Sequence, residues 1–258
     1  MKNYQSYIIC TSPRSGSTLL CKLLAVTGKS GNPESYFHNP SISDWLSNLD
    51  LSPKHSGREC YVLNAIMDAV RERGTGNTGM FGLRLQRKSF DFLIEKIGVL
   101  HPGLSSDAKR FQAVFGNTLF IYLTRDNKLE QAISFVKATQ SGLWHRAPDG
   151  TELERLSAPK ELVYDADEIA RHLVGLTALD NDWEDWFAGE KIDRMCVSYT
   201  ELSDDPKEVL ARILDRLGVG REVAKGIRPA VAKLADATNQ NWMKRFLAER
   251  GDVIGFQT

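Results

Sequence analysis

Apolar and polar positions along this chain fall into short blocks that read as strands separated by helices. Four blocks have the apolar density of buried strands: YIICT at 7–11, MFGLRLQ at 80–86, TLFIYLT at 118–124 and RMCVSYT at 194–200. Those at 7, 118 and 194 are apolar runs bounded by polar or turn residues, the pattern of a parallel sheet covered on both faces. Between the blocks, apolar residues recur at helical spacing. Leu20, Leu23, Leu24 and Thr27 share a face after the first strand, and Tyr61, Ala65, Met67 and Val70 predict another before the second. Leu129, Ala132, Ile133 and Val136 form a stripe after the third. A long helical stretch at 165–189 precedes the fourth strand, and 204–218 follows it, with Pro206 near its start and Gly218 at its end.

This alternation predicts an α/β fold with a central, mostly parallel sheet flanked by helices and joined by right-handed crossovers. No internal repeat or low-complexity tract interrupts it, and 258 residues suit one domain, 1–258. A domain of that size buries roughly three quarters of its unfolded surface, so no staple or metal is needed to hold it. The segments 28–60 and 141–163 are the long irregular stretches. Loops of that length in a compact domain serve as lids or binding loops, here for an acceptor.

Composition narrows the function classes. The chain carries 33 basic and 33 acidic residues, without the basic excess of a nucleic-acid binder. Cys10, Cys21, Cys60 and Cys196 lack the spacing of a zinc site. Cys10 and Cys21 lie in apolar surroundings as small core residues, which suits a reducing cytoplasm. The opening MKNYQSYIIC has no apolar h-region, and no run approaches the roughly 18 apolar residues of a membrane span. A cytoplasmic protein without a membrane span is expected.

The chemistry concentrates in TSPRSGSTLL, residues 11–20, where the first strand meets its helix. Ligands of α/β sheets sit beyond the carboxyl ends of the strands, beside helix N-termini. Gly16 permits a tight turn, and the N–H groups of the first helical turn point outward as anion donors. Ser15, Ser17 and Thr18 add hydroxyls, and Arg14 adds a permanent charge. Together they describe a phosphate or sulfate cradle. The plainer alternative is a Ser/Thr-capped helix start. The nucleoside-triphosphatase loop GxxxxGK[ST] is not matched, because Ser17 follows Gly16 where lysine would stand.

TSPRSGSTLL resembles the 5′-phosphosulfate loop of sulfotransferases that use 3′-phosphoadenosine 5′-phosphosulfate. With TGKSGNPESYFH after it, the chain resembles the bacterial Stf0-type family, whose founding activity is sulfation of trehalose. That family's second signature is an arginine ending a central strand and a serine in the next helix, which together hold the donor's 3′-phosphate. YLTRDNKLEQAISF supplies Arg125 and Ser134, nine positions apart, and DWEDWF at 182–187 is also similar to the family. The resemblance runs from residue 7 to about 250. It implies a P-loop-like sulfotransferase fold, with Arg14, Ser15, Gly16, Ser17 and Thr18 on the 5′ end of the donor and Arg125 and Ser134 on its 3′-phosphate. It also suggests a carbohydrate acceptor and a homodimer.

Sulfuryl transfer needs an in-line nucleophile, a stabilised leaving phosphate and a base for the acceptor hydroxyl. Arg14 and the loop amides suit the second task, so no metal is expected, and no carboxylate cluster in the chain is built for magnesium. For the proton, NPESYFH offers Glu34 and His38. Members of the family carry the catalytic glutamate within PEEYF or PQEFF. Here Ser35 occupies the second of those positions and the carboxylate stands one place earlier, which makes His38 the substitute. Tyr36, Phe37 and Trp144 are aromatic platforms for a sugar or lid packing, and Arg84, Gln86 and Arg87 are hydrogen-bond donors near the second strand. Trp183 and Trp186 suit a core or a subunit interface. A polar loop leading into a helix at 237–246 places Trp242 and Arg245 to close over a nucleotide. Two other readings stay open at this level. A nucleotide kinase of P-loop ancestry is disfavoured by the missing lysine, and Ser35 speaks for a non-catalytic nucleotide-binding protein.

Overall fold

The computed structural model describes residues 4–51, 58–228, 231 and 236–254. Its central sheet has four parallel strands in the order β2-β1-β3-β6: β1 (Ser6–Thr11), β2 (Phe81–Gln86), β3 (Thr118–Thr124) and β6 (Met195–Ser198). All four predicted strands are present. The fourth ends at Ser198 rather than 200, because Ser198 and Glu201 form a capping box that starts α8 (Tyr199–Asp204).

Successive side chains of a strand point to opposite faces, and the two cores divide accordingly. Ile8 and Cys10 of β1 join Leu83, Leu85, Phe120 and Tyr122 on one face. There they meet α3 (Glu59–Thr75), α4 (Arg87–Leu100), α5 (Asp107–Phe115) and α7 (Ala166–Gly189). Tyr7 and Ile9 join Leu119, Ile121, Leu123 and Val197 on the other, against α1 (Ser17–Val26) and α9 (Pro206–Arg216). A third cluster packs α6 (Lys128–Ser141) against α7 and α10 (Ala237–Ile254).

Several helical faces differ from the sequence reading. On α3 the buried stripe is Leu63, Ile66, Met67 and Val70, and Tyr61 is exposed, because the face pointing to the sheet is rotated by about one position. Helices α4 and α5 between β2 and β3 add to the predicted set. The segment 28–60 contains α2 (Ile42–Asn48), capped by Ser41, and its residues 52–57 lie outside the described ones. The segment 141–163 is not irregular throughout. It carries an antiparallel hairpin of β4 (Leu143–Arg146) and β5 (Glu152–Arg155), turned at Pro148-Asp149-Gly150. The predicted loop at 237 is already helical. Trp242 is buried in the third cluster, and Arg245 pairs with Glu249 and stacks on Tyr164, so neither lines the site. Among the described residues no helix is long and apolar enough to cross a membrane.

Candidate active site

In a parallel sheet all strands deliver their carboxyl ends to one edge. Here that edge is a cavity of about 530 Å³. The loop after β1 supplies Arg14, Gly16, Ser17 and Thr18, β2 and the start of α4 supply Arg84, Gln86 and Lys88, Arg125 follows β3, and Tyr199 follows β6. Ser134 of α6, His38, and Trp144, His145 and Glu154 of the hairpin complete the wall.

The loop is fixed from below. Thr11 Oγ1 donates to the Leu123 carbonyl at 2.8 Å and lies 2.5 Å from Ser15 Oγ. Gln131 Nε2 donates to Ser12 Oγ at 3.0 Å and to the Pro13 carbonyl at 2.6 Å. Held this way, the backbone is left-handed at Arg14 (φ 64°) and at Gly16 (φ 88°). A Cβ at Gly16 would lie 2.7 Å from a ring carbon of Tyr199, so both the dihedral and the space demand glycine. No side chain caps α1, unlike α2, α5, α6 and α7, so the N–H groups of its first turn stay available to an anion. Ser17 and Thr18 line the cavity, whereas the buried Ser15 hydroxyl turns inward to Thr11.

Two guanidiniums meet beside this loop. Arg14 donates from Nε to Ser134 Oγ at 3.1 Å and from Nη1 to the Trp144 carbonyl at 2.6 Å, with its charge 5.7 Å from the Trp144 ring centroid. Arg125 is 4% exposed. It pairs with Glu130 at 2.6 Å, reaches the Arg14 carbonyl at 3.4 Å and stacks 4.3 Å over Tyr199. Its buried Nε has no partner. Burial, and then the neighbouring Arg125 charge, push the Arg14 guanidinium down to about 10. Arg14 thus lies between Arg125 and Ser134, the two residues that the sequence pairs at nine positions.

Of the two predicted proton acceptors, only His38 lines the cavity. Glu34 is exposed and outside the lining. Its carbonyl accepts from the Arg84 amide at 3.1 Å in a parallel bridge to Leu83, so this stretch extends the sheet edge. The next side chain, Ser35, faces Arg84 and accepts from its Nε at 2.7 Å. The one-position shift of the carboxylate therefore moves it out of the site. His38 Nε2 lies 3.3 Å from Lys88 Nζ. Burial, then the charges of Lys88 and Arg84, hold its imidazole below the ordinary value of 6.5.

Sequence reasoning missed the hairpin's contribution. His145 Nε2 lies 2.9 Å from Thr18 Oγ1 and 3.3 Å from Glu154 Oε2, and Arg84 Nη1 donates to the same Thr18 hydroxyl at 2.8 Å. Burial, then Arg14 and Arg84, push His145 down to about 3. The signal was available: PDG between LWHR and ELER is a hairpin turn with a mechanism. Arg84 and Gln86 face the cavity as donors and acceptors, whereas Arg87 turns away to Asp91 at 2.9 Å. Tyr36 and Phe37 are core residues, and Trp144 alone of the three aromatic candidates lines the cavity. Trp183 is fully buried and donates from Nε1 to the Thr11 carbonyl at 3.0 Å, and Trp186 packs against the same core.

Two relatives, the trehalose 2-sulfotransferases of Mycobacterium tuberculosis (strain ATCC 35801 / TMC 107 / Erdman) and Mycolicibacterium smegmatis (strain ATCC 700084 / mc(2)155), are 28% and 26% identical to the chain. The first match covers 94% of both chains, and the second 93% of this chain and 94% of the relative. Among solved structures, the sulfotransferase domain of the Synechococcus PCC 7002 olefin synthase aligns with all of this chain and 97% of its own, at 17% identity and a TM-score of 0.49. A sulfotransferase from Alicyclobacillus acidocaldarius aligns at 13% identity and a TM-score of 0.43 over all of this chain and 98% of its own. Those structural scores are too low to carry an argument. The Stf0 sulphotransferase family model matches residues 6–249, and the chain belongs to that family.

Proposed function

We propose that this sulfotransferase moves the sulfuryl group of 3′-phosphoadenosine 5′-phosphosulfate to a hydroxyl of a carbohydrate acceptor by in-line displacement, with residues 1–258 acting as one domain. The observation that carries the reading is the meeting of Arg14 and Arg125 over a left-handed loop at an uncapped helix N-terminus. Of the two guanidiniums only Arg125 has a carboxylate partner, Glu130, so the Arg14 charge is left for an anion to join. The unpartnered Nε of Arg125 is one donor such an anion would satisfy. The residues fit a nucleotide with phosphate at both ends.

When bound, the donor supplies an activated sulfuryl group whose leaving group is a phosphate. Arg14, the amides of Gly16 to Thr18 and the Ser17 and Thr18 hydroxyls hold its 5′ end and stabilise the charge that develops there. Ser15 contributes through its backbone, because its hydroxyl is engaged by Thr11. Arg125 and Ser134 hold the 3′-phosphate. His38, kept neutral by burial and by Lys88, takes the proton of the acceptor hydroxyl. Glu34 has no part in this scheme, because it lies outside the cavity. The positive charge that faces the leaving phosphate comes from these side chains and amides, and the scheme contains no metal step.

Calorimetric titration with 3′-phosphoadenosine 5′-phosphate, adenosine 5′-phosphate and ATP–magnesium tests the reading. The bisphosphate is expected to bind tightly without metal, and Arg125→Ala to weaken it about 10–100-fold, the worth of a charge-assisted hydrogen bond. Ser134→Ala, which removes no buried charge, is expected to act in the same direction. Preferential binding of ATP–magnesium, or no binding of the bisphosphate, would overturn it.

A further inference from the structure

Resting on the sulfotransferase reading, we infer that the acceptor carries an anionic group, a carboxylate or a phosphate, seated on Lys88 beside the hydroxyl that is sulfated. The cavity wall holds Arg14, Arg84, Lys88 and Arg125 but one carboxylate, Glu154. Glu154 lies 3.3 Å from His145, so its charge serves the loop end of the cavity. Arg125 has its own partner in Glu130. Lys88 and Arg84 have no carboxylate partner among the described residues. Arg84 is engaged by the hydroxyls of Thr18 and Ser35, and Lys88 meets only His38.

Sheet order separates this charge from the donor's 3′ end. Lys88 follows β2 and Arg125 follows β3, with β1 between them. Two interstrand spacings of about 4.8 Å put those strand ends roughly 10 Å apart. Lys88 is therefore set apart from the 3′-phosphate site. Its surroundings are those of a binding subsite rather than of a solvated helix start. Gln86 lines the same cavity and is 8% exposed, and its buried Oε1 has no hydrogen-bond partner. Partial desolvation against the cavity wall lowers the Lys88 pKa, although the residue as a whole is exposed. Gln86, Lys88 and His38 thus present an amide, a cation and a base on one wall. The acceptor hydroxyl loses its proton to His38, while the anionic group on Lys88 fixes its orientation and takes no part in bond making. Trehalose, the substrate in the names of the two curated relatives, is uncharged and would leave Lys88 unpaired.

The test uses the full chain saturated with 3′-phosphoadenosine 5′-phosphate and titrated with glucose, glucuronate and glucose 6-phosphate. Binding of the bisphosphate is the control for the donor reading: its failure sinks that reading, independently of the acceptor. With the bisphosphate bound, one or both charged sugars should bind at least tenfold tighter than glucose, and the better of the two tells carboxylate from phosphate. Lys88 is exposed at the start of α4, so its variants fold. Lys88→Gln should abolish the preference and Lys88→Glu should reverse it, with less than threefold change in bisphosphate affinity. Equal binding of all three sugars, binding of none, or a preference that survives Lys88→Gln would overturn the inference. The last result would mean that the anion sits at Arg14 and Thr18 in place of the transferred group.

Discussion

Arg14 combines a left-handed backbone, a desolvated guanidinium and contacts to both α6 and the hairpin. Non-glycine residues hold such a conformation where the surroundings over-determine it, as Thr11, Ser15 and Gln131 do here. The expectation of an anion site at that arginine and glycine rests on their types alone. The direction of each neighbouring hydroxyl was not, and Ser15 turns the wrong way. The base shows the same limit. Glu34 and Ser35 are adjacent in an extended segment, so one faces out where the other faces in. For His38, the neutral form is favoured in the folded protein. Its imidazole should stay uncharged as pH falls through 6.5 and take its proton only below that value. Proton NMR titration of the histidine ring signals reads this directly. Lys88→Gln should raise the midpoint part of the way back to 6.5, since burial remains the larger cause.

Elements position these residues through their ends. The turn from β1 to α1 depends on Gly16, and Gly16→Ala should cost about 1–2 kcal/mol of stability from the left-handed backbone alone. The same substitution should also weaken 3′-phosphoadenosine 5′-phosphate binding more than tenfold, because its Cβ drives into Tyr199, on which Arg125 stacks. Gly150 in the hairpin turn has a similar φ of 92° with nothing within 4 Å. Gly150→Ala should therefore bring the stability cost without the loss of affinity, as calorimetry beside urea unfolding would show. The hairpin itself was readable from its PDG turn. Its docking over Thr18 was not, since His145 and Thr18 are 127 residues apart. Likewise the sequence shows Ser198 and Glu201 as a cap, but an apolar run through Tyr199 overrode that signal.

At the scale of the molecule, the sheet edge is held rigid by the cores on its two faces. Trp183 of α7 links them to the site: it is fully buried, stacks with Phe187 and donates to the Thr11 carbonyl where β1 ends. Trp183→Ala should destabilise the fold by about 3–5 kcal/mol, the range for a large buried aromatic. Trp183→Phe keeps the ring but leaves that carbonyl without its donor, at a cost of about 1–3 kcal/mol. Urea midpoints at an unchanged slope would measure both. A net charge of zero hides the cavity entirely, because its cations are balanced by acids elsewhere on the surface.

By itself the sequence determined the strands, most helices and the parallel α/β class, and it marked Arg14, Gly16, Arg125 and Ser134 as candidates for an anion site. Each of these is written in local periodicity or in residues a few positions apart, which short-range sterics and hydrogen bonding translate directly. Only the tertiary structure decided that Arg14 lies between Arg125 and Ser134, that Glu34 stands outside, and that Gln86, Lys88 and His38 share a wall with the hairpin's His145 and Glu154. Those contacts join segments distant in the chain. They depend on strand order, side-chain direction and the docking of one element on another, which are set by burying the two faces of the sheet together.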